Sequence, residues 1–240
     1  MPLVEFRNVV YEITGKTILS GMSFGVEEGE TLVLVGRSGS GKSTALKLTN
    51  GMLFPTSGEV LVDGRRTTDW DPIALKRRTG YVIQEVGLFP HFTVARNVGL
   101  IPRLEGWQES DIERRVDHLL ATVGLDSREY GNRYPRQLSG GQRQRVGVAR
   151  ALGADPPLLL FDEPFGALDP VTRSELQQQF LGWQRDFHKT SIFVTHDIRE
   201  AMRLGNRIAL LANGKLEVLT PAAEFPNATT PEARAFLASL

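Results

Sequence analysis

Short apolar runs alternate with polar, glycine-rich and proline-rich breaks along the whole chain. Leu3 to Val10 alternates loosely and predicts a strand; a turn at Thr14-Gly15-Lys16 separates it from a second strand over Ile18 to Val26. Glu27-Glu28-Gly29-Glu30 is a polar turn, and the apolar, partly β-branched run from Val33 reads as a buried strand. It breaks at Gly36, and a helix-compatible segment with Leu46 and Leu48 follows, stopped by Gly51. Gly58 to Val62 predicts a strand closed by the hairpin signal Asp63-Gly64. Asp71-Pro72 opens a short helix to about Arg78, and Tyr81-Val82-Ile83 is a strand ending at Gln84.

From about Glu85 to Arg136 the pattern changes, with prolines at 90, 102 and 135 and glycines at 87, 99, 106, 124 and 131. One clear helix stands out, opened by the capping-box spacing of Ser110 to Glu113 and carrying Ile112, Val116, Leu119, Leu120 and Val123 on one face. A second such spacing, Ser139 to Gln142, opens a helix to about Gly153. Leu158 to Phe161 is an apolar strand ending in Asp162-Glu163. Asp169-Pro170 starts a helix with Leu176, Phe180, Trp183 and Phe187 on one stripe. Ile192 to Val194 is a strand reaching Thr195-His196; Asp197 caps the next helix, and Gly205 stops it. Ile208 to Leu211 and Leu216 to Leu219 form a hairpin about Asn213-Gly214, and the remainder reads as helical from Pro221 and Pro231.

Strands separated by helices predict an α/β fold with a largely parallel sheet. The early antiparallel strands predict a β-subdomain beside it. The expected organisation is a single domain over 1–240, with an α/β core over 1–84 and 154–220. The mostly helical stretch 85–153 is inserted, and 221–240 forms a helical tail.

With 240 residues, 41% hydrophobic and 23% charged, the composition is that of an ordinary globular domain. Lys plus Arg and Asp plus Glu are 28 each, which gives no global charge argument for a nucleic-acid partner. Cysteine is absent, so disulfides and thiolate metal sites are excluded. No apolar run approaches the roughly 20 residues that span a bilayer. The basic stretches Lys76-Arg77-Arg78 and Arg143, Arg145, Arg150 are short and lie on expected helices, which reads as a solvated or subunit-facing surface.

The break after the buried strand carries chemistry. Gly36, Arg37, Ser38, Gly39, Ser40, Gly41, Lys42, Ser43 and Thr44 contain the complete Gly-x-x-x-x-Gly-Lys-Ser spacing, between a strand and a helix. Such a loop curls so that successive N–H groups face phosphate oxygens, and the following helix adds its positive end. Lys42 brings a charge to the β- and γ-phosphates, and the Ser43 hydroxyl is a Mg²⁺ ligand. The chain is therefore expected to bind a nucleoside triphosphate. Asp162, at the end of a buried strand, is placed to hold Mg²⁺, and Glu163 to polarise an attacking water. Gln84 and His196 end their own strands on the same side of the sheet; by position each is either a polar boundary residue or a ligand, Gln84 for Mg²⁺ or water and His196 for a γ-phosphate. Leu138-Ser139-Gly140-Gly141-Gln142 is a helix start with bare glycine amides; as physics it is either a second anion site or a capping box alone.

The order of these motifs, with Ala167-Leu168-Asp169 between the acids and His196, resembles the ATP-binding cassette (ABC) ATPases over almost the whole chain. That resemblance implies a P-loop NTPase (RecA-like) core with an antiparallel β-subdomain and an inserted helical subdomain. It implies a homodimer around two ATP molecules, each on one subunit's phosphate loop and under Ser139, Gly140, Gly141 and Gln142 of the other. It makes Glu163 the catalytic base and has His196 contact the γ-phosphate. Tyr11 stacks on adenine, Asp169 lies at the dimer interface, and Ser43, Gln84 and Asp162 hold Mg²⁺. Gln84 and the insertion after it then address a transmembrane permease, on the cytoplasmic face of the membrane.

Pro164 to Pro170 resembles the importer branch. Gly87 to Val94, with Asn97, Pro102, Leu104 and Trp107, is similar to ATPases of quaternary-amine importers for glycine betaine, choline or carnitine, which work with a solute-binding protein. Tyr134-Pro135 and the run Arg145 to Leu152 fit the same group. Many such ATPases carry a C-terminal pair of regulatory domains, which the stretch 221–240 is too short to form. Amino-acid or other small-solute import is the alternative. A soluble ABC ATPase acting on nucleic acid or the ribosome is disfavoured by the neutral charge and the lack of heptads.

Overall fold

The computed structural model describes residues 2–84 and 86–238; Glu85, where the inserted stretch is expected to begin, lies outside them. Along the chain come β1 (Val4–Ile13), β2 (Lys16–Val26), β3 (Thr31–Val35), α1 (Lys42–Thr49), β4 (Ser57–Val62), β5 (Arg65–Arg66), α2 (Pro72–Arg77) and β6 (Thr79–Val82). Then follow α3 (Val94–Val98), α4 (Leu100–Leu104), α5 (Glu109–Thr122), α6 (Ser127–Tyr130), α7 (Gly140–Ala151), β7 (Leu158–Asp162) and α8 (Pro170–Phe187). The chain closes with β8 (Thr190–Thr195), α9 (Ile198–Leu204), β9 (Arg207–Ala212), β10 (Lys215–Pro221) and α10 (Pro231–Leu237). The fold is α/β with two sheets, and the chain divides into two compact units, Met1–Lys76 with Lys189–Leu240, and Arg77–His188.

The first unit holds an antiparallel sheet ordered β2-β1-β4-β5. Phe6 and Phe24 stack across β1 and β2 at 4.4 Å between centroids. It also holds β10-β9-β3-β8, with β3 parallel to both β8 and β9 and the β9–β10 hairpin antiparallel. Leu32, Val33, Leu34 and Val35 are fully buried, which explains the unbroken apolar run: each such side chain contributes about 1.5–3 kcal/mol when taken out of water. At the end of α1, Asn50 is the C-cap and Gly51 takes φ 66°, as its expected stop position requires.

The second unit pairs β6 with β7 in parallel. Its helices differ from the expected single clear helix: α3, α4 and α6 surround α5. Pro102 lies inside α4 rather than breaking it, because it falls in the first turn, where no intrahelical N–H bond is lost. The expected capping box at Ser110 is also corrected. α5 starts two residues earlier, at Glu109 with Gln108 as N-cap and no side-chain cap bond, so Ser110 sits within the first turn. The acids Glu109 and Asp111 there complement the helix's positive end instead. Ile112, Val116, Leu119 and Leu120 are buried, so the apolar face is as read. Ile83 lies beyond β6 and is exposed.

Candidate nucleotide-binding site

In the first unit, Gly36 leaves β3 and Gly41 caps α1 with φ 101°. The loop needs its glycines for space as well as for conformation. A Cβ at Gly36 would collide with the Leu211 carbonyl and stand 2.5 Å from Ser40 Oγ, and one at Gly41 would run into the Leu19 side chain. Lys42 is buried, and its Nζ donates to Gly36 O at 2.7 Å and Arg37 O at 3.0 Å. Ser40 Oγ is buried with no hydrogen-bond partner among the described residues. Ser38 and Gly39 are exposed, and so is Arg37, whose guanidinium pairs with Glu232 of α10 at 2.6 Å. A tight loop with a buried ammonium and an orphaned hydroxyl, opening a helix, has the chemistry of a polyphosphate cradle.

Two further predicted residues belong to this unit. Val35 pairs with Thr195 in the parallel β3–β8 ladder, so Gly36 and the exposed His196 leave the sheet at the same end. Tyr11 stands opposite Leu19 across β1 and β2, and Leu19 is the side chain packed against Gly41. Tyr11 is thus one strand from the loop, and half-buried.

In the second unit, Val82 pairs with Phe161, so Gln84 and Asp162-Glu163 emerge together from β6 and β7. Gln84 Nε2 and Glu163 Oε2 lie 3.7 and 3.8 Å from the point where a Cβ on Gly166 would stand, so both side chains flank Gly166. Glu163 has φ 47°, an uncommon conformation for a residue with a side chain, and Gly166 N–H closes the turn onto Glu163 O at 3.1 Å. Such outliers cluster where geometry is functional.

Ser139 caps α7 with both arms of the capping box present. Its Oγ accepts from Gln142 N at 3.2 Å, and Gln142 Oε1 accepts from Ser139 N at 2.9 Å. Gly140 is half-buried and Gly141 buried, with Thr172 Cγ2 at 2.7 Å from where a Gly141 Cβ would be. Asp169 caps α8, accepting from Thr172 N at 3.0 Å. Hydrogen bonding from Thr172, side chain first and then backbone, holds its carboxyl below the usual carboxylate range.

Three residues carry more than the sequence suggested. The Tyr81 hydroxyl donates to Asp162 Oδ2 at 3.3 Å; burial, then the Asp162 charge, pushes this phenol up. Arg173 donates to the Leu168 carbonyl at 3.2 Å and the Gly166 carbonyl at 3.4 Å, bracing the Ala167-Leu168 turn. Arg150 donates to Val86 O and Gly87 O. The basic cluster is therefore not simply a solvated surface: Arg143 also bonds a backbone carbonyl, Leu138 O at 2.7 Å, and Arg145 reaches Val123 O at 3.5 Å. The signal available for Tyr81 was its place near the end of a strand, one residue before the end of β6; nothing local marks the distant partners of Arg145 and Arg150.

Fold and loop together define a P-loop nucleotide-binding protein. Residues 19–166 match the family described as "ABC transporter", and the chain belongs to that family. It is 48% identical over 198 residues to the osmoprotectant import ATP-binding protein OsmV of Salmonella typhimurium, covering 82% of this chain and 52% of that one. It is 47% identical over 208 residues to the choline transport ATP-binding protein OpuBA of Bacillus subtilis, covering 86% and 54%. The glycine betaine uptake system ATP-binding protein YehX of Escherichia coli is 46% identical over 214 residues, covering 89% and 69%. The chain thus spans about half the length of the first two relatives. Among solved structures, the dimeric ATP-binding cassette MJ0796 bound to ADP and Pi, in a post-hydrolysis state, superposes with TM-score 0.79 at 35% identity, covering 91% and 98%. CbiO1 of Clostridium perfringens, part of an ABC transporter complex, gives 0.85 at 28% identity, covering 93% and 90%.

Proposed function

We propose that the chain is the ATP-hydrolysing subunit of an ABC importer for quaternary-amine osmoprotectants. Two copies pair head to tail around two ATP molecules at the cytoplasmic face of the membrane and drive permease subunits supplied by a solute-binding protein. The observation that carries this reading is the placement of Glu163 and Gln84 at one end of the β6–β7 pair, with Glu163 in a left-handed turn. The relatives' names support the solute class. Among the described residues no helix is long and apolar enough to cross a membrane.

In this reading the loop amides and Lys42 bind the phosphates, and Tyr11 stacks on adenine. Ser43, Gln84 and Asp162 would hold Mg²⁺: a hydroxyl, an amide oxygen and a carboxylate are the oxygen donors a hard cation takes, and the ion would supply charge neutralisation at the γ-phosphate. Glu163 accepts a proton from the attacking water as its oxygen bonds to γ-phosphorus and the bond to ADP breaks. His196 donates to the γ-phosphate. Ser139, Gly140, Gly141 and Gln142 close the site of the second copy, and Asp169 meets the dimer interface. The stretch 85–153 faces the permease.

The test is phosphate release by the full chain assembled with its permease in vesicles. Turnover rising with glycine betaine-loaded binding protein, and not with DNA or RNA, is the expected result. Turnover stimulated by nucleic acid alone would overturn the importer reading.

A further inference from the structure

The Arg150 guanidinium sits half-buried on the last turn of α7 and is spent entirely on the segment after Gln84. Nη1 donates to Gly87 O at 2.6 Å, and Nη2 to Val86 O at 2.7 Å. No carboxylate pairs with it among the described residues. Taking a guanidinium partly out of water is costly, and burial lowers its affinity for a proton. What it receives in return is two short charge-assisted bonds in the fixed fork of a guanidinium.

The segment it holds is otherwise unfavourable. Val86, β-branched, is left-handed at φ 58°, followed by Gly87 at φ 55°. Val86 also presses onto α7: a Cβ on Gly147 would stand 2.5 Å from Val86 Cγ1, so only glycine admits the contact. Gly147 and Arg150 are three apart on α7 and share a face. Together they form a clasp, one part steric and one part hydrogen-bonded, joining the helix opened by Ser139 to the segment leaving Gln84.

We propose that Arg150 is a positioning residue for the ATPase reaction: by clasping residues 86–87 to α7 it sets where Gln84 stands, and ties that placement to the helix that presents Ser139-Gly140-Gly141. The proposal rests on the ATPase reading above. In that reading Gln84 serves the Mg²⁺ and γ-phosphate of one ATP while α7 serves the other. The clasp links the two roles physically.

Arg150→Met removes both donors and keeps most of the side chain's length. Two readouts test it in the full chain. The first needs no nucleotide: amide hydrogen exchange of the peptide spanning 83–88 should become faster on the order of tenfold or more, the scale of losing a charge-assisted bond. The second is hydrolysis against free Mg²⁺ at saturating ATP. The half-saturating concentration should rise and kcat fall, each about tenfold, while the affinity for ATP itself changes less than about twofold. Arg150→Lys, which keeps a charge within reach of both carbonyls, should recover part of each loss and serves alone if the methionine variant does not fold. Unchanged exchange in a folded variant, or faster exchange with unchanged kcat and Mg²⁺ dependence, overturns the proposal. Absence of turnover in the unsubstituted protein would sink the ATPase reading instead.

Discussion

The Tyr81 hydroxyl reaches across the parallel β6–β7 pair to donate to Asp162 Oδ2 at 3.3 Å. The bond fixes the carboxylate that the proposed mechanism assigns to Mg²⁺. Tyr81→Phe is expected to cost about 1 kcal/mol of stability, read as a melting temperature lower by roughly 2–4 °C. Turnover should fall and the Mg²⁺ requirement rise, because Asp162 loses a neutral donor beside it. An unchanged Mg²⁺ requirement would separate Tyr81 from the site.

Lys42 holds the phosphate loop's own carbonyls, Gly36 O and Arg37 O, from a buried position. Lys42→Ala should weaken Mg-ATP binding by about ten- to hundredfold, the scale of one to two hydrogen bonds made by a charged group. Equilibrium titration measures it. Undiminished affinity would mean that the loop amides suffice.

Gly36 is a steric requirement. With Leu211 O and Ser40 Oγ crowding its missing Cβ, Gly36→Ala forces the loop or β9 to move. A loss of about 1–3 kcal/mol is expected for such overpacking, seen in thermal unfolding as roughly 2–10 °C. A melting temperature equal to that of the unsubstituted chain would show that the loop can open here.

Asp169 links the cap of α8 to the proposed dimer interface. Its depressed pKa fixes the sign of a pH effect. A carboxylate whose folded value lies below its unfolded one stabilises above about pH 4, and that contribution is lost as pH falls through the folded value. Asp169→Ala should therefore melt lower at neutral pH, with the difference closing as the pH drops below about 4. A gap independent of pH would mean that the cap bond is not what Asp169 contributes.

Much of this architecture is local and therefore legible. β3 and β7 announce themselves as unbroken apolar runs because both faces are buried. Asp169, Asp197 and Ser139 are caps in the structure, as their spacing before a helix predicts. His196 directly follows β8, as the pattern predicts, whereas Gln84 stands two residues past β6 because Ile83 lies outside the strand. The failures are of two physical kinds. Short helices such as α3 and α4, five residues each, end before the helical spacing can repeat, and at Ser110 a capping-box spacing lost to an earlier start at Glu109. Arg150 and Tyr81 act through partners distant in sequence, which no window contains; the basic cluster consequently looked like surface.

Glu163 tests the central claim most directly. Glu163→Gln keeps the side chain's shape and removes its capacity to take a proton. Measured together on that variant, phosphate release and molecular mass in the presence of Mg-ATP should show retained nucleotide binding, nearly abolished hydrolysis and a dimer held together by ATP. Hydrolysis at the rate of the unsubstituted chain, with no ATP-dependent dimer, would contradict the account.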